Sequence, residues 1–334
     1  MALKYYYYNQ LSKKDQVTYK EFLEGLSKSS PSIRLQETND SAISRVSQIV
    51  AYDHPEIFWW LGEGSYTMYG THSVFQPTYL YGVGEIQRRK RAIESKVSSF
   101  MRKIRFGMSE YQKIKTVFEY MIDTVEYVRG ADDQNICGSL IAGKCVCAGY
   151  ARGVQYLLQR MGIECLRVSG YAKGERHAWN IVKCGRKYYH IDATFGDRTF
   201  DGGMPQGFPT ELRRNYAYLC FDDKMMRADR RAEMPCVLPK CSSDNLNYYA
   251  KTGRYYNAYS PAVVKDMQKV IFSGGNVFEC QFSNQRAYSS MLRDVQNHAF
   301  SDIVGEYYKK MRRTGSYRTW TSESNETLTI VCWY

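Results

Sequence analysis

The sequence lacks several features, and each absence narrows the reading. None of its ten cysteines forms a C-x-x-C pair, so a zinc ribbon or thioredoxin-type redox site has no support. Ten cysteines in 334 residues are too sparse for a disulfide scaffold, and most are expected as reduced, buried thiols. No apolar run approaches the roughly 18 residues of a membrane helix. The start, MALKYYYYNQLSKK, has no charged segment followed by an apolar one, so no secretory signal is visible. The compartment stays open: cytoplasmic as written, or secreted or cell-surface if a signal segment has been removed. No internal repeat occurs, and YYYY is the one low-complexity tract. Histidine is scarce. His54, His72, His177, His190 and His298 are the five candidates for a general base.

What is present is basic and rich in tyrosine. Lys and Arg total 46 against 34 for Asp and Glu, a formal net charge of +12. The basic residues are scattered, and the densest cluster, QRRKRAIESK (87–96), reads as the solvated face of a helix. No nucleic-acid partner is expected. The 30 tyrosines suit half-buried strands and clefts that face peptide or carbohydrate.

Three regions follow from pattern. Residues 1–107 read as a helical N-terminal region with a small aromatic strand patch. Ser12 and Asp15 form a capping-box-like start, and Val17, Phe22, Leu23 and Leu26 recur at helical spacing. Ile43, Val46, Ile49 and Val50 mark a second helix. EIFWWLG (56–62) reads as a strand, and a helix over 86–104 turns Ile93, Val97, Phe100, Met101 and Ile104 inward. Residues 108–225 carry the chemistry. Ser109 caps a helix with Ile114, Val117, Phe118, Met121, Ile122 and Val125 on its apolar face. A helix opened by GKCVCAGY buries Val154, Leu157, Leu158 and Met161 and stops at Gly162. Three strand-like runs follow: ECLRVSGYA, HAWNIVKC and KYYHIDATF. Residues 226–334 read as a small α+β region, with Ser260-Pro261 opening a helix, NVFECQF a strand, two further helices and a closing hairpin. A bridge between Cys236 and Cys241 in MPCVLPKC is left open.

The chemistry turns on Cys147, His177 and Asp192. A turn centred between residues 184 and 185 pairs residues whose numbers sum to 369. His177 and Asp192 then lie directly opposite on one face, close enough for the carboxylate to fix the imidazole's tautomer. The same register places His190 opposite Trp179, as a weaker rival base. Cys147 falls in the first turn of its helix. Unpaired N–H groups and the positive end of the macrodipole favour a thiolate there and could hold an oxyanion. Cys145 precedes the helix and lacks that field. Gly149 permits close approach of backbone or substrate, while Tyr150, Trp179 and Asn180 are candidates to wall or brace the site. A second oxyanion donor is sought within Tyr127–Asn135.

Three blocks, VCAGYARGVQYLLQRMGIEC, RHAWNIV and KYYHIDATFGD, resemble the transglutaminase-like superfamily of cysteine enzymes, relatives of the papain-like fold. PEIFWW and LPKC…NYY resemble the flanking regions of bacterial relatives. The resemblance implies an α+β core in which a nucleophile helix packs on an antiparallel sheet. It makes Cys147 the nucleophile, His177 the base and Asp192 the residue that orients it. It implies acyl transfer on peptide or glutamine-type amides through a thioester, giving a protease or amidase with water and a transamidase with an amine acceptor. The substrate is then a protein or peptide, and no cofactor or metal is required. Cys137 and Cys145 depart from the family pattern; bridged to Cys147, either would silence it until reduction. Two rivals remain. One is a catalytically silent binding or scaffold protein that meets cell-surface or wall partners. The other is a zinc hydrolase built from Cys145, Cys147, His177 and Asp192, for which C-x-C is poor chelate spacing.

Overall fold

A computed structural model of the chain describes residues 5–200, 210–296, 299–312, 314–322 and 327–332. His298 lies outside the described residues. The architecture is α+β, in two compact units: residues 1–204 with 211–243, and residues 205–210 with 244–334. Among the described residues no helix is long and apolar enough to cross a membrane.

The first unit opens with α1 (Lys13–Ser27), β1 (Ile33–Leu35), α2 (Asp40–Asp53), β2 (Gly64–Tyr69), β3 (His72–Pro77) and α3 (Val83–Met101). Ser12 caps α1 by accepting the Asp15 N–H at 3.1 Å, as its sequence indicates. Val17 is a correction: it is 40% exposed, because the buried stripe of α1 runs through Thr18, Tyr19, Phe22 and Leu26. The aromatic run at 56–62 is a second correction. It forms turns, with Ile57 N–H bonded to the His54 carbonyl and Trp60 N–H to that of Ile57. Ile57, Phe58, Trp59 and Trp60 are all buried there. A short continuous apolar run shows that a segment is buried without showing that it is extended. The small sheet β1-β3-β2 forms beside it instead.

The site is carried by α4 (Glu110–Thr124), β4 (Glu126–Tyr127), a short π-helical turn over Cys137–Ala142, β5 (Lys144–Cys145), α5 (Cys147–Arg160), β6 (Cys165–Ala172), β7 (Glu175–Cys184), β8 (Lys187–Ile191), β9 (Leu219–Phe221), α6 (Asp223–Asp229) and β10 (Arg230–Ala232). Five of these strands form an antiparallel sheet in the order β10-β6-β7-β8-β9. Helix α5 is buried on every side from Gly149 to Leu158 and is pinned to the sheet by Asn180, whose amide donates to the Ala151 carbonyl at 2.9 Å. Met161, expected in the core, is the C-cap of α5 and only half-buried. Gly162 follows at φ +73°, where a glycine ends the helix without strain.

The β7–β8 register differs from the sequence expectation. Cys184 pairs with Lys187 and Asn180 with Ile191, so partners sum to 371 rather than 369. The turn centres on Gly185-Arg186, with Gly185 at φ +61°. His177 and Asp192 are therefore diagonal neighbours, and His190 faces Ile181 rather than Trp179. The sum moves by two, so every side chain keeps its face, and the three residues still project to the same side.

The second unit contains α7 (Tyr248–Lys251), β11 (Tyr255–Tyr256), α8 (Pro261–Phe272), β12 (Val277–Phe282), α9 (Gln285–Gln296), α10 (Ala299–Met311), β13 (Tyr317–Ser322) and β14 (Thr327–Cys332). Its four-stranded sheet runs β11-β12-β14-β13, with β13 and β14 as the expected closing hairpin. Proline stands at the first turn of α8, and Val263, Met267 and Ile271 of that helix pack with Phe278, Tyr288 and Met291 in a separate core.

Helix α4 is closed by a full capping box between Ser109 and Gln112. Replacing Ser109 by Ala removes one partner of that box. The expected loss is about 1 kcal/mol of unfolding free energy in urea, with the alkylation rate of Cys147 unchanged.

Candidate active site

Cys147 is the first residue of α5. The N-cap, Val146, has no side chain able to cap, so the first-turn N–H groups are left for the sulfur and for anything bound beside it. The thiol is half-buried, and His177 and the Ala178 N–H are near enough to act on its ionisation. Burial pushes the thiol up, but the hydrogen bond and charge of His177 with the Ala178 N–H outweigh it, and the group is held below the ordinary thiol value.

His177 comes from β7 and is buried. Its Nε2 meets Asp192 Oδ2 at 2.8 Å, which leaves Nδ1 for the sulfur. Burial alone would lower this imidazole. The Asp192 carboxylate and the hydrogen bonds to Asp192 and Cys147 win, and the group is raised to about 9. Asp192 follows β8 and is also buried. Desolvation would raise it, but His177, Arg230 and the Phe195 N–H together hold it at about 2. Its second oxygen accepts the N–H groups of Thr194 and Phe195, each at 3.1 Å. Cysteine, histidine and aspartate thus meet, as the sequence indicates, though through a diagonal rather than an opposed pair.

The other candidate residues take distinct places. Trp179 lies near-parallel to the His177 ring, with centroids 6.1 Å apart and planes at 14°. Its indole N–H donates to His190 Nδ1 at 3.1 Å. Asn180 projects to the other face and bridges Ala151 and Leu166 carbonyls, so it braces the nucleophile helix rather than lining the cleft. Gly149 is a close-approach position: a Cβ there would stand 2.5 Å from the Asp133 carbonyl oxygen and 2.5 Å from Cys145 Cβ. Tyr150 is buried, with its hydroxyl on the Val125 carbonyl at 2.8 Å and near Asp197 at 3.3 Å, so it points away from the sulfur.

Two further residues reach the site: Tyr127, which opens the stretch searched for an oxyanion donor, and Arg230, which sequence reasoning did not single out. Tyr127 is near enough to Cys147 for the main chain and the thiol of that residue both to act on its hydroxyl's ionisation. It pairs with Cys145 in the β4–β5 ladder, two residues before the nucleophile. Arg230 donates to Asp192 Oδ2 at 2.9 Å and also pairs with Asp229. Its buried guanidinium lies among the rings of Phe195, Tyr218 and Phe221, with centroids 4.6, 4.9 and 5.5 Å away.

Cys137, Cys145 and Cys147 are free thiols, as are Cys236 and Cys241. Burial pushes Cys137 up to about 11 despite the neighbouring Arg89, and it raises Cys145 further. Neither supplies thiolate near neutral pH. Among the described residues, one group of metal-ligating side chains has its ligand atoms within 4.8 Å of one another: His190, Asp223 and Cys241. The donor set fits a metal poorly. The Trp179 indole donates to Nδ1, so the ring's proton sits on Nε2, facing Asp223 Oδ1 at 3.0 Å. A metal on Nε2 would have to strip that proton and leave an imidazolate. The Cys241 thiol donates to the Pro239 carbonyl at 3.8 Å. The cluster reads as a brace for Trp179.

Two variants separate the roles of the buried charges. Removing the Asp192 carboxylate by Asp192→Asn lowers His177 and so returns Cys147 toward its ordinary value. The direct repulsion between Asp192 and Cys147 works the other way but is the lesser influence. Iodoacetamide labelling of Cys147 is therefore expected to slow at pH 6 and to stay nearly unchanged at pH 10. The stability linked to His177 is full below its unfolded value of about 6.5 and is lost as pH rises through about 9. That linked to Asp192 is present above the ordinary carboxylate range and is lost as pH falls through about 2. Arg230→Met leaves the buried Asp192 and the half-buried Asp229 short of a partner and is expected to cost about 3–5 kcal/mol in urea unfolding.

Residues 98–193 match the model of the transglutaminase-like superfamily core. A search of curated proteins finds no match. Among solved structures, a TGase is 14% identical with TM-score 0.31 and shares 54% of each chain, so the chain spans about half of that protein's length. A candidate cysteine protease from Cytophaga hutchinsonii is 14% identical with TM-score 0.28, covering 39% of this chain and 61% of that one. Menin, whose structure reveals the binding site for Mixed Lineage Leukemia protein, is 12% identical with TM-score 0.29, covering 90% and 67%. Likenesses this slight say nothing about the site. The family match falls on the stretch that contains α5 with Cys147, β7 with His177, and Asp192: residues 98–193 of this chain match the transglutaminase-like superfamily core.

Proposed function

We propose that the protein is a thioester-forming acyl transferase or hydrolase acting on amides of peptides or proteins, with Cys147 as nucleophile, His177 as acid and base, and Asp192 as the group that orients it. The observation that carries this reading is the thiol at the start of α5, held below its ordinary value by an imidazole whose Nε2 is fixed on a buried carboxylate.

The steps follow from the atoms. The Cys147 thiolate attacks the amide carbonyl carbon, a C–S bond forms, and negative charge moves to the oxygen. The Cys147 N–H and the Tyr127 hydroxyl are the proposed oxyanion donors. The two groups lie close to one another, and a substrate oxygen would accept from both. His177 Nδ1–H gives its proton to the departing nitrogen, and the C–N bond breaks. Water or a primary amine then loses a proton to His177 and attacks the thioester; the C–S bond breaks and the thiolate–imidazolium pair is restored. Gly149 and Asn180 act on this chemistry by holding α5 in place, and Trp179 by covering the His177–Asp192 bond.

The test uses candidate glutamine-containing peptides with and without an amine acceptor, with the acyl-enzyme sought by mass spectrometry. A peptide mass on Cys147 is expected in the wild-type protein and none in Cys147→Ala. Loss of the amide as acid marks hydrolysis, and gain of the amine marks transamidation. Tyr127→Phe is expected to slow acylation by about 10²–10³-fold while iodoacetamide still labels Cys147, because alkylation needs no oxyanion donor. Failure of every peptide to acylate Cys147, together with full biological function in Cys147→Ala, would favour a silent binding protein.

A further inference from the structure

Two buried arginines in the first unit, Arg152 and Arg167, have no acidic partner among the described residues. Arg152 on α5 is 3% exposed and Arg167 on β6 is 8% exposed. Arg167 lies directly opposite Asn180 in the β6–β7 ladder, and Asn180 reaches the Ala151 carbonyl of α5. Arg167 therefore faces the helix that carries Arg152, and the two cations repel one another. The other titratable group facing Arg152 is Tyr52; those facing Arg167 are Tyr52, Tyr7 and Cys147. No carboxylate is among them. The Cys147 thiolate is already held by His177.

Hydrogen bonding leaves the same gap. Arg152 Nε and Nη1 and Arg167 Nε are buried donors without a partner. Arg167 is partly compensated: its Nη2 donates to the Ala51 carbonyl at 3.2 Å, at the negative end of α2, and its guanidinium lies 4.2 Å from the Tyr52 ring centre. Arg152 shows neither kind of compensation. Arginine does not shed its proton in proteins, and a buried charge without a counter-charge is not tolerated. A water molecule would accept hydrogen bonds from these donors but would leave the charge. Gln155 Oε1, three residues along α5 from Arg152, is an acceptor and can take no part in holding an anion; its amide nitrogen is on the Tyr52 carbonyl at 2.8 Å.

We infer that a small monovalent anion, of chloride size and charge, is bound in the core between Arg152 and Arg167. The anion ties α5 to β6 and so helps to fix the helix whose first residue is Cys147. The inference does not depend on whether Cys147 is catalytic.

The test begins with protein unfolded and refolded in sodium gluconate, so that no halide is trapped. Titration with chloride or bromide at constant ionic strength is expected to raise Tm saturably, by about 5–10 °C at a hundredfold excess over half-saturation. Arg152→Met is expected to abolish that dependence. Wild-type crystals grown in bromide are expected to show an anomalous peak between the two guanidinium groups. Equal Tm in gluconate and chloride, or a bromide crystal with water or nothing between the arginines, would overturn the inference. The crystal arm needs no variant, so it holds even where Arg152→Met does not fold.

Discussion

The Asp192 carboxylate is the constraint on which the site depends. It is buried, so each of its oxygens has to be satisfied by the protein. One oxygen takes His177 and Arg230 together, and the other takes two backbone N–H groups of the turn that follows β8. With Asp229 on the far side of Arg230, two carboxylates face one guanidinium and one imidazole. The Asp192 carboxylate favours imidazolium at His177, and an imidazolium in turn favours a thiolate on Cys147. The raised histidine and the lowered thiol are two consequences of one arrangement.

Much of this was legible in the sequence because the relevant signals are local and periodic. A cysteine just before an apolar 3.6-residue pattern marks a helix start. Two extended runs separated by a glycine turn bring a histidine and an aspartate to one face. The pairing sum was displaced by two because Gly185-Arg186, not Cys184-Gly185, forms the turn. Face assignment survives such an error, since side chains alternate with a period of two. Long side chains then close the diagonal distance. An error of one would have placed Asp192 on the far side of the sheet.

The rest was hidden for identifiable reasons. Arg230 enters through the pairing of β10 with β6, and no local pattern signals a contact with an aspartate 38 residues earlier. Tyr127 reaches Cys147 only because β4 runs parallel to β5, a two-residue ladder too short to read from propensity. EIFWW misled because burial and extension give the same apolar run. Tyr150 matched a motif position close to Cys147, yet its hydroxyl is taken by the Val125 carbonyl and Asp197.

The thiolate itself is a balance of short-range terms. Burial is the largest influence on Cys147, and it opposes ionisation. His177 and the Ala178 N–H overcome it, with the first turn of α5 contributing in the same sense. All of these groups are held by buried contacts, so added salt screens them far less than it would a surface pair. Their effect depends instead on geometry, above all on where α5 sits against β7. Asn180 sets that position from the sheet side, and the absence of a side chain at Gly149 sets it from the loop at Asp133. The pKa of Cys147 is thus tied to helix packing: a displacement of α5 that broke no bond to the sulfur directly would still release the terms that hold it below the ordinary thiol value.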